Sequence, residues 1–393
     1  MEKSSITGLG RLEKYLLLSF LVGMMVLNLF RLKDYTPQAH QPLDLRQLYA
    51  GQLLLEQGEN PYQDSALKKI WTEKVPEAKD LPLPGAPENY LLYPPHALLI
   101  CSWLLPEDWQ NSRSIAWALA LLSLLVIPFV AQAKPKRAEV VIGFMLVAAF
   151  GGSLTALILA QPALPVIVFL LLALNTREKQ PLLAGVFLFL SFFKPSLALP
   201  LLMFFIAEKR FRMLLTAFGI SLLFYGLLWL QTGNELWSWI DSWLGAMRTQ
   251  TAVVFEEGHA FLLGNMTGLE ALLFQLSGWK GSGWILLFSG LLYGGLMYFL
   301  VQKKLTETLA LELFLLLGFL FFYHLYYDLL LLLVLVLLRH PQNRGVRWLV
   351  LALILPLGYL GQGINLAPLL LLILFVLKLI EFSSYAREKA GRI

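Results

Sequence analysis

Apolar residues in this chain fall in long blocks, and polar and basic residues collect between them. The first block covers about 15–30, and a polar stretch, 31–90, follows it. Further blocks cover 91–106, 114–133, 140–174, 181–207, 213–230, 284–301 and 309–338, and a last pair flanks "GQGIN" at 361–365. A second polar segment spans 231–283. Runs of this length read as helices in a bilayer, because hydrocarbon offers the backbone no partner outside a helix or a closed barrel. A barrel would show short alternating segments instead. The expected fold is all-α: one polytopic membrane domain over 1–393, of about 12–13 transmembrane helices. The two polar segments are expected as outer loops that hold juxtamembrane helices, and "NELWSWIDSWLGAM" in the second has an interfacial composition. Lys3, Arg11 and Lys14 precede the first block, and no small-residue cleavage site follows it. It reads as an uncleaved span that starts in the cytoplasm.

Three blocks carry the functional signal. The stretches 140–174, 181–207 and 309–338 are bounded by basic loops: "NTREKQ", "EKRFR", "QKK" and "RHPQNRGVR". Positive charge collects on the cytoplasmic side, so each stretch reads as an up-and-down hairpin whose tip points outward. Two full crossings need about 40 residues, and none of the three stretches is that long. Their tips should therefore lie inside the membrane profile. Those tips are polar: Ser153, Thr155 and Gln161 in the first, Lys194 and Pro195 in the second, His324 through Asp328 in the third. Ionisable groups at such depth are costly unless they line a wet cavity, so a cavity open to the outer face is expected. The blocks count to about 13, whereas basic ends on both sides require an even number of crossings. One block between 91 and 174 is re-entrant or merged, and the charge pattern does not say which.

Composition narrows the class. The chain is 58% hydrophobic and 15% charged, against about 45–50% and about 25% in soluble domains. Eleven Trp and fourteen Tyr suit interfacial belts. The single cysteine, Cys101, excludes an internal disulfide framework and a Cys-based metal site. The net charge of +5 is spread over short loops, so it reports topology and not nucleic-acid binding.

The first polar stretch contains "DLRQLYAGQLLLEQGENPYQD" at 44–64. Leu45, Leu48, Tyr49, Gln52 and Leu55 fall near helical spacing, which predicts an amphipathic helix on the membrane surface. Asp44 suits its N-cap, Gly58 its end, and "NPY" a turn.

These residues resemble the first outer loop of glycosyltransferase family 87, a group of polyprenyl-phosphate-dependent mannosyltransferases with the GT-C fold. Five further motifs follow in the family's order. They are "YPPHALLICSWLLP" (93–106), "LAQP" around Gln161, the apolar run ending at Lys194–Pro195, "GNMTG" around Asn265, and "FFYHLYYD" before the late apolar run. Ala160 stands where the family has glycine. The resemblance implies transfer of a sugar, mannose in the familiar case, from a polyprenyl phosphate to an acceptor hydroxyl. It implies inversion, a site on the outer face of a bacterial inner membrane, and Asp44 as the base. The partners would be the polyprenyl-phosphate sugar, a glycolipid or glycan acceptor and the lipid bilayer, with no nucleic acid. Tyr49, Asn60, Tyr62, Tyr93, Gln161 and Asn265 would line the substrate site.

The chemistry fits one carboxylate plus cations. An oxocarbenium-like centre needs a base for the acceptor proton, and a phosphate leaving group needs cationic stabilisation. Lys194 is a point charge for phosphate, and Arg46 and His324 are further candidates. Tyr326, Tyr327 and Asp328 are candidates for substrate contacts. Each has a structural reading too. Lys194 snorkels or pairs with Asp328, His324 is a satisfied interior histidine, Asp328 only orients His324 or Lys194, and Tyr93–Pro94–Pro95 only breaks a helix. Asn265 heads a glycosylation sequon, or a turn. Glu256, Glu257 and His259 do not form a metal-ligand pattern, so no metal or cofactor is expected. No Asp-x-Asp and no phosphate-cradling glycine loop is present, which argues against a nucleotide-sugar donor. Two other classes remain: a transporter or flippase of lipid-linked glycans, and a glycan polymerase or ligase using polyprenyl diphosphate donors.

Overall fold

The computed structural model describes residues 11–33, 43–74, 91–256, 266–278, 282–302, 305–322, 324–339, 344–354 and 366–390. Its regular elements are helices, and the protein is an all-α polytopic membrane protein. α1 (Arg11–Lys33) turns Leu12, Tyr15, Leu29 and Phe30 outward, as a lipid-facing helix does. α2 (Leu43–Glu56) and α3 (Asp64–Lys74) form a pair from the first polar stretch. α4 (Pro95–Leu104) and α5 (Trp109–Val130) follow. Pro95 opens α4 at a position that needs no N–H, and Asp108 caps α5 by accepting from the Asn111 N–H.

α4 is shorter than the apolar run that holds it. It has 10 residues, which is roughly 15 Å of helix against about 30 Å of hydrocarbon. It is too short to cross unaided.

The three short hairpins form as expected. In the first, α6 (Arg137–Ala149) and α7 (Gly151–Ile158) meet at Phe150 with a 68° bend, and α8 (Ala163–Thr176) returns. The break frees carbonyls at the end of α6. Asn28 of α1 donates its amide to two of them, Ala148 O at 3.0 Å and Ala149 O at 2.9 Å. The second hairpin is α9 (Pro181–Ser191) and α10 (Pro195–Ala207). Lys194 precedes a proline and so leaves the helical region (φ −126°), while Pro195 starts the next helix.

α11 (Phe211–Thr232) is a long lipid-facing helix, α12 (Leu236–Glu256) and α13 (Leu269–Ser277) come from the second polar segment, and α14 (Ser282–Val301) follows. The third hairpin is α15 (Glu307–Phe321), a tight turn at Tyr326–Asp328, and α16 (Leu329–Val334), which continues as a wider turn to Arg339. α17 (Arg344–Ala352) and α18 (Ala367–Ala390) end the described chain. Among the described residues, α1, α5, α11 and α18 alone are long and apolar enough to cross a membrane unaided.

The basic loops gather at one end. Val130 O accepts from the Asn175 amide at 2.7 Å, and Leu338 O accepts from Gln132. Arg177 pairs with Glu208 at 3.2 Å and with Glu307, and Arg210 pairs with Glu178. This places "KPKR" beside "NTREKQ" and "EKRFR", with the polar tips at the opposite end.

α2 departs from the surface helix expected of it. Its residues from Leu45 to Leu55 are buried, apart from half-buried Gln47. They pack with Leu91, Leu98, Trp109, Leu228 and Trp239 in a cluster separate from the main core. Two features allow this. Gly51 lets α4 and the residues before it approach so closely that an added Cβ would lie 3.0 Å from a Leu98 methyl and 2.8 Å from a Leu91 methyl. The polar groups find carbonyls at the α4–α5 corner: Gln52 donates to Leu105 O at 3.2 Å and Tyr49 to Glu107 O at 2.5 Å. The helix ends as predicted, with Gly58 at φ +73°. Glu59 N donates to Leu54 O and Gly58 N to Leu55 O, the two bonds of a Schellman stop.

Gln63 is exposed just beyond this stop, and Cys101 is buried. In intact cells, Gln63→Cys should react with an impermeant thiol reagent while the parent protein stays unlabelled. Labelling of Gln63→Cys only after permeabilisation would reverse the expected orientation.

Candidate active site

The tips of the three hairpins meet. Lys194, between α9 and α10, places its Nζ 2.7 Å from Asp328 Oδ1 and 2.9 Å from Oδ2 in the third tip. Asp328 is fully buried, whereas the Lys194 side chain keeps 15% of its surface exposed. Asp328 Oδ2 also accepts from Leu325 N at 3.2 Å and lies 3.3 Å from His324 Nδ1. The lysine ammonium stands 4.7 Å above the Tyr327 ring, a favourable cation–π position. His324 is buried against Phe319, and its Nε2 has no hydrogen-bond partner among the described residues. The first tip closes on this group from the side. Gly152 is pressed so near Tyr327 that an added Cβ would sit 2.8 Å from its Cα, and Phe150 packs on Tyr326.

The end of the second polar segment crosses the third tip. Thr267 N donates to His324 O at 3.1 Å, and Met266 bridges to Leu325. Thr267 is fully buried, and its hydroxyl donates to Phe319 O at 3.5 Å. Asn265 itself lies outside the described residues, as do Glu257 and His259 and the side chain of Glu256.

α7 runs from this cluster to the one around α2, and its end explains the Ala160–Gln161 pair. Gln161 N donates to Ala156 O at 2.8 Å and Ala160 N to Leu157 O at 3.1 Å. This is again a Schellman stop, with Ala160 in the left-handed position at φ +48°. That position suits glycine, which is what the resembled family has there. Gln161 is buried with both amide atoms unpartnered among the described residues, and so is the Ser153 hydroxyl.

Other predicted site residues are committed to structure. The Tyr49 hydroxyl is bonded to Glu107 O and its ring edge meets Trp109. Burial, with Asp108, Glu107 and Glu56 nearby, pushes its pKa up to about 12, so it stays a neutral donor. Asn60 donates to Ser242 Oγ at 3.2 Å and accepts from Tyr62 N at 3.0 Å, tying the α2–α3 turn to α12. The Tyr62 hydroxyl donates to Tyr93 O at 2.9 Å, and the Tyr93 ring packs on Phe193, next to Lys194. These three link the first polar stretch to the second tip. The Tyr326 hydroxyl donates to Leu353 and Ile354 carbonyls at 2.8 and 3.0 Å. It closes the end of α17. Arg46 is buried on α2. Asp44 is the second residue of α2, in its first turn instead of at the cap, and its side chain lies outside what the structure describes.

Two residues were not singled out from the sequence. Asn28 closes the α6 break, and its signal was an amide inside the first apolar run. His96, in "YPPH", is buried 3.3 Å from the Tyr225 hydroxyl and against Phe189.

The fold and this charged cluster define a polytopic membrane protein with a polar site at one end. The profile of glycosyltransferase family 87 matches residues 90–325, and the chain belongs to that family. It is a membrane glycosyltransferase, with a sugar donor and an acceptor as substrates. The match includes Tyr93, Gln161, Lys194, Asn265 and His324; α2 with Asp44, and the turn at Tyr326–Asp328, lie outside it. Comparison with curated proteins and with solved structures gives no match.

The left-handed backbone at Ala160 is strained by its Cβ. Ala160→Gly should stabilise the protein by about 1 kcal/mol, read as a higher thermal midpoint in detergent. An unchanged or lower midpoint would show that Ala160 is not strained.

Proposed function

We propose that the enzyme transfers a hexose, with mannose the sugar the resemblance implies, from a polyprenyl phosphate to a hydroxyl of a glycolipid or glycan at the outer membrane face. The observation that carries this reading is Lys194: a partly accessible ammonium at a hairpin tip, paired with the fully buried Asp328, which short helices would hold at the depth of a lipid phosphate. In the reaction, the acceptor oxygen forms a bond to the anomeric carbon as the bond from that carbon to the phosphate oxygen breaks. The configuration inverts. The acceptor proton passes to Asp44, and the polyprenyl phosphate leaves with the electron pair. Lys194 opposes the growing phosphate charge in a low-dielectric site, where a fixed cation acts most strongly. His324 adds a second polar nitrogen at the same place. Gln161 and Ser153 offer groups for sugar hydroxyls. The tie from Tyr62 through Tyr93 to Phe193 holds the first polar stretch, and with it α2, against the second tip.

The test is sugar transfer by purified protein in nanodiscs, with a panel of polyprenyl-phosphate sugars and a membrane glycolipid extract. Asp44→Asn keeps the shape of the side chain and cannot take a proton. It should lower turnover by about 10²–10⁴-fold while the protein remains folded. A variant as active as wild type would remove Asp44 as base, and a wild type inactive with every donor would remove the donor class.

A further inference from the structure

Lys194 already holds an oxyanion. Its ammonium donates to both oxygens of Asp328, at 2.7 and 2.9 Å. A carboxylate met in this way presents two oxygens to the cation, as the non-bridging oxygens of a phosphodiester do. We propose that Asp328 is a placeholder for the donor's phosphate: it holds Lys194 until the donor arrives and then yields Lys194 N–H groups to the phosphate. This rests on the polyprenyl-phosphate reading above and deepens it.

Three features favour exchange over a fixed brace. Lys194 retains 15% exposure while Asp328 has none, so an incoming anion meets the lysine and not the acid. Asp328 is not stranded when Lys194 turns, because the Leu325 N–H at 3.2 Å and His324 Nδ1 at 3.3 Å stay with it. The Tyr327 ring, 4.7 Å from the ammonium, gives the cation a surface along which to move. A contrast is present in the same protein. Lys378 of α18 pairs with Glu312 of α15 at 2.7 Å, with side-chain exposures of 5% and 1%. Lys378 also pairs with Glu381 at 3.0 Å, and with both members nearly buried its pair to Glu312 braces two helices. The exchange also has a chemical consequence. Pairing neutralises Lys194, so a small hydrated anion finds little net charge at the tip. A lipid phosphate brings the additional binding of its chain and can compete. Asp328 is thus a positioning residue that sets the availability of Lys194.

The test is titration of a C55 polyprenyl monophosphate into the full-length protein in nanodiscs. Asp328→Asn removes the competitor, and the apparent affinity should rise about tenfold, because the fraction of competent lysine rises. Its transfer rate should fall, since the phosphate product leaves more slowly. Lys194→Met should bind about tenfold more weakly than wild type, and Lys194→Met/Asp328→Leu should match it. A folded Asp328→Asn that binds no more tightly than wild type overturns the placeholder and leaves the donor class standing. Should Asp328→Asn not fold, the double variant decides: binding equal to wild type overturns the proposal, and weakened binding upholds it. A wild type that does not bind the lipid phosphate at all overturns the donor class and the placeholder together.

Discussion

A charge below a membrane surface must be paired, and the Lys194–Asp328 pair is where this constraint shapes the protein. An isolated ammonium or carboxylate at that depth costs several kcal/mol, so the second and third hairpins are bound to each other at their tips. The helices that carry these tips are short. α9 has 11 residues and α10 has 13, well under the roughly 20 needed to cross. Short helices place polar residues inside the protein, and burial forces those residues to find one another. The same constraint leaves Lys194 partly open on one side, and chemistry can begin there.

Breaking helices inside a membrane also frees backbone groups, each costly without a partner. The protein meets this with side chains from neighbouring elements. Asn28 serves the end of α6, Tyr326 the end of α17, and Gln52 and Tyr49 the corner between α4 and α5. The short α7 is stopped by its own backbone, in the conformation that strains Ala160. Among the described residues, His324 Nε2, the Gln161 amide and the Ser153 hydroxyl at the tips have no hydrogen-bond partner. They are the groups that sugar hydroxyls would satisfy.

Much of this was legible in the sequence, because its governing quantities are lengths and charges. Basic loops and short apolar stretches were enough to expect three hairpins with buried polar tips, and the pairing of Lys194 with Asp328 was one of two readings considered for that lysine. Family membership was legible from motif order. Other features were hidden for physical reasons. The apolar run at 91–106 is long enough to pass for a span, but Pro95 and Pro106 trim it to α4. The helix from Leu43 looked amphipathic, yet its Gln52 and Tyr49 bond inward, and neither partner, Leu105 O or Glu107 O, leaves a trace in residue type. For the same reason the bonds of Tyr49, Asn60 and Tyr326 to backbone or neighbouring side chains were not legible. What places Asp44 chemically remains its motif and its position at the start of α2.

The most direct measurement is a structure of the protein in nanodiscs with a non-transferable polyprenyl-phosphate hexose analogue bound. The account predicts the phosphate within hydrogen-bond distance of Lys194 Nζ, with the sugar between the tips and the start of α2. A phosphate bound elsewhere, with Lys194 and Asp328 still closed on each other, would contradict it.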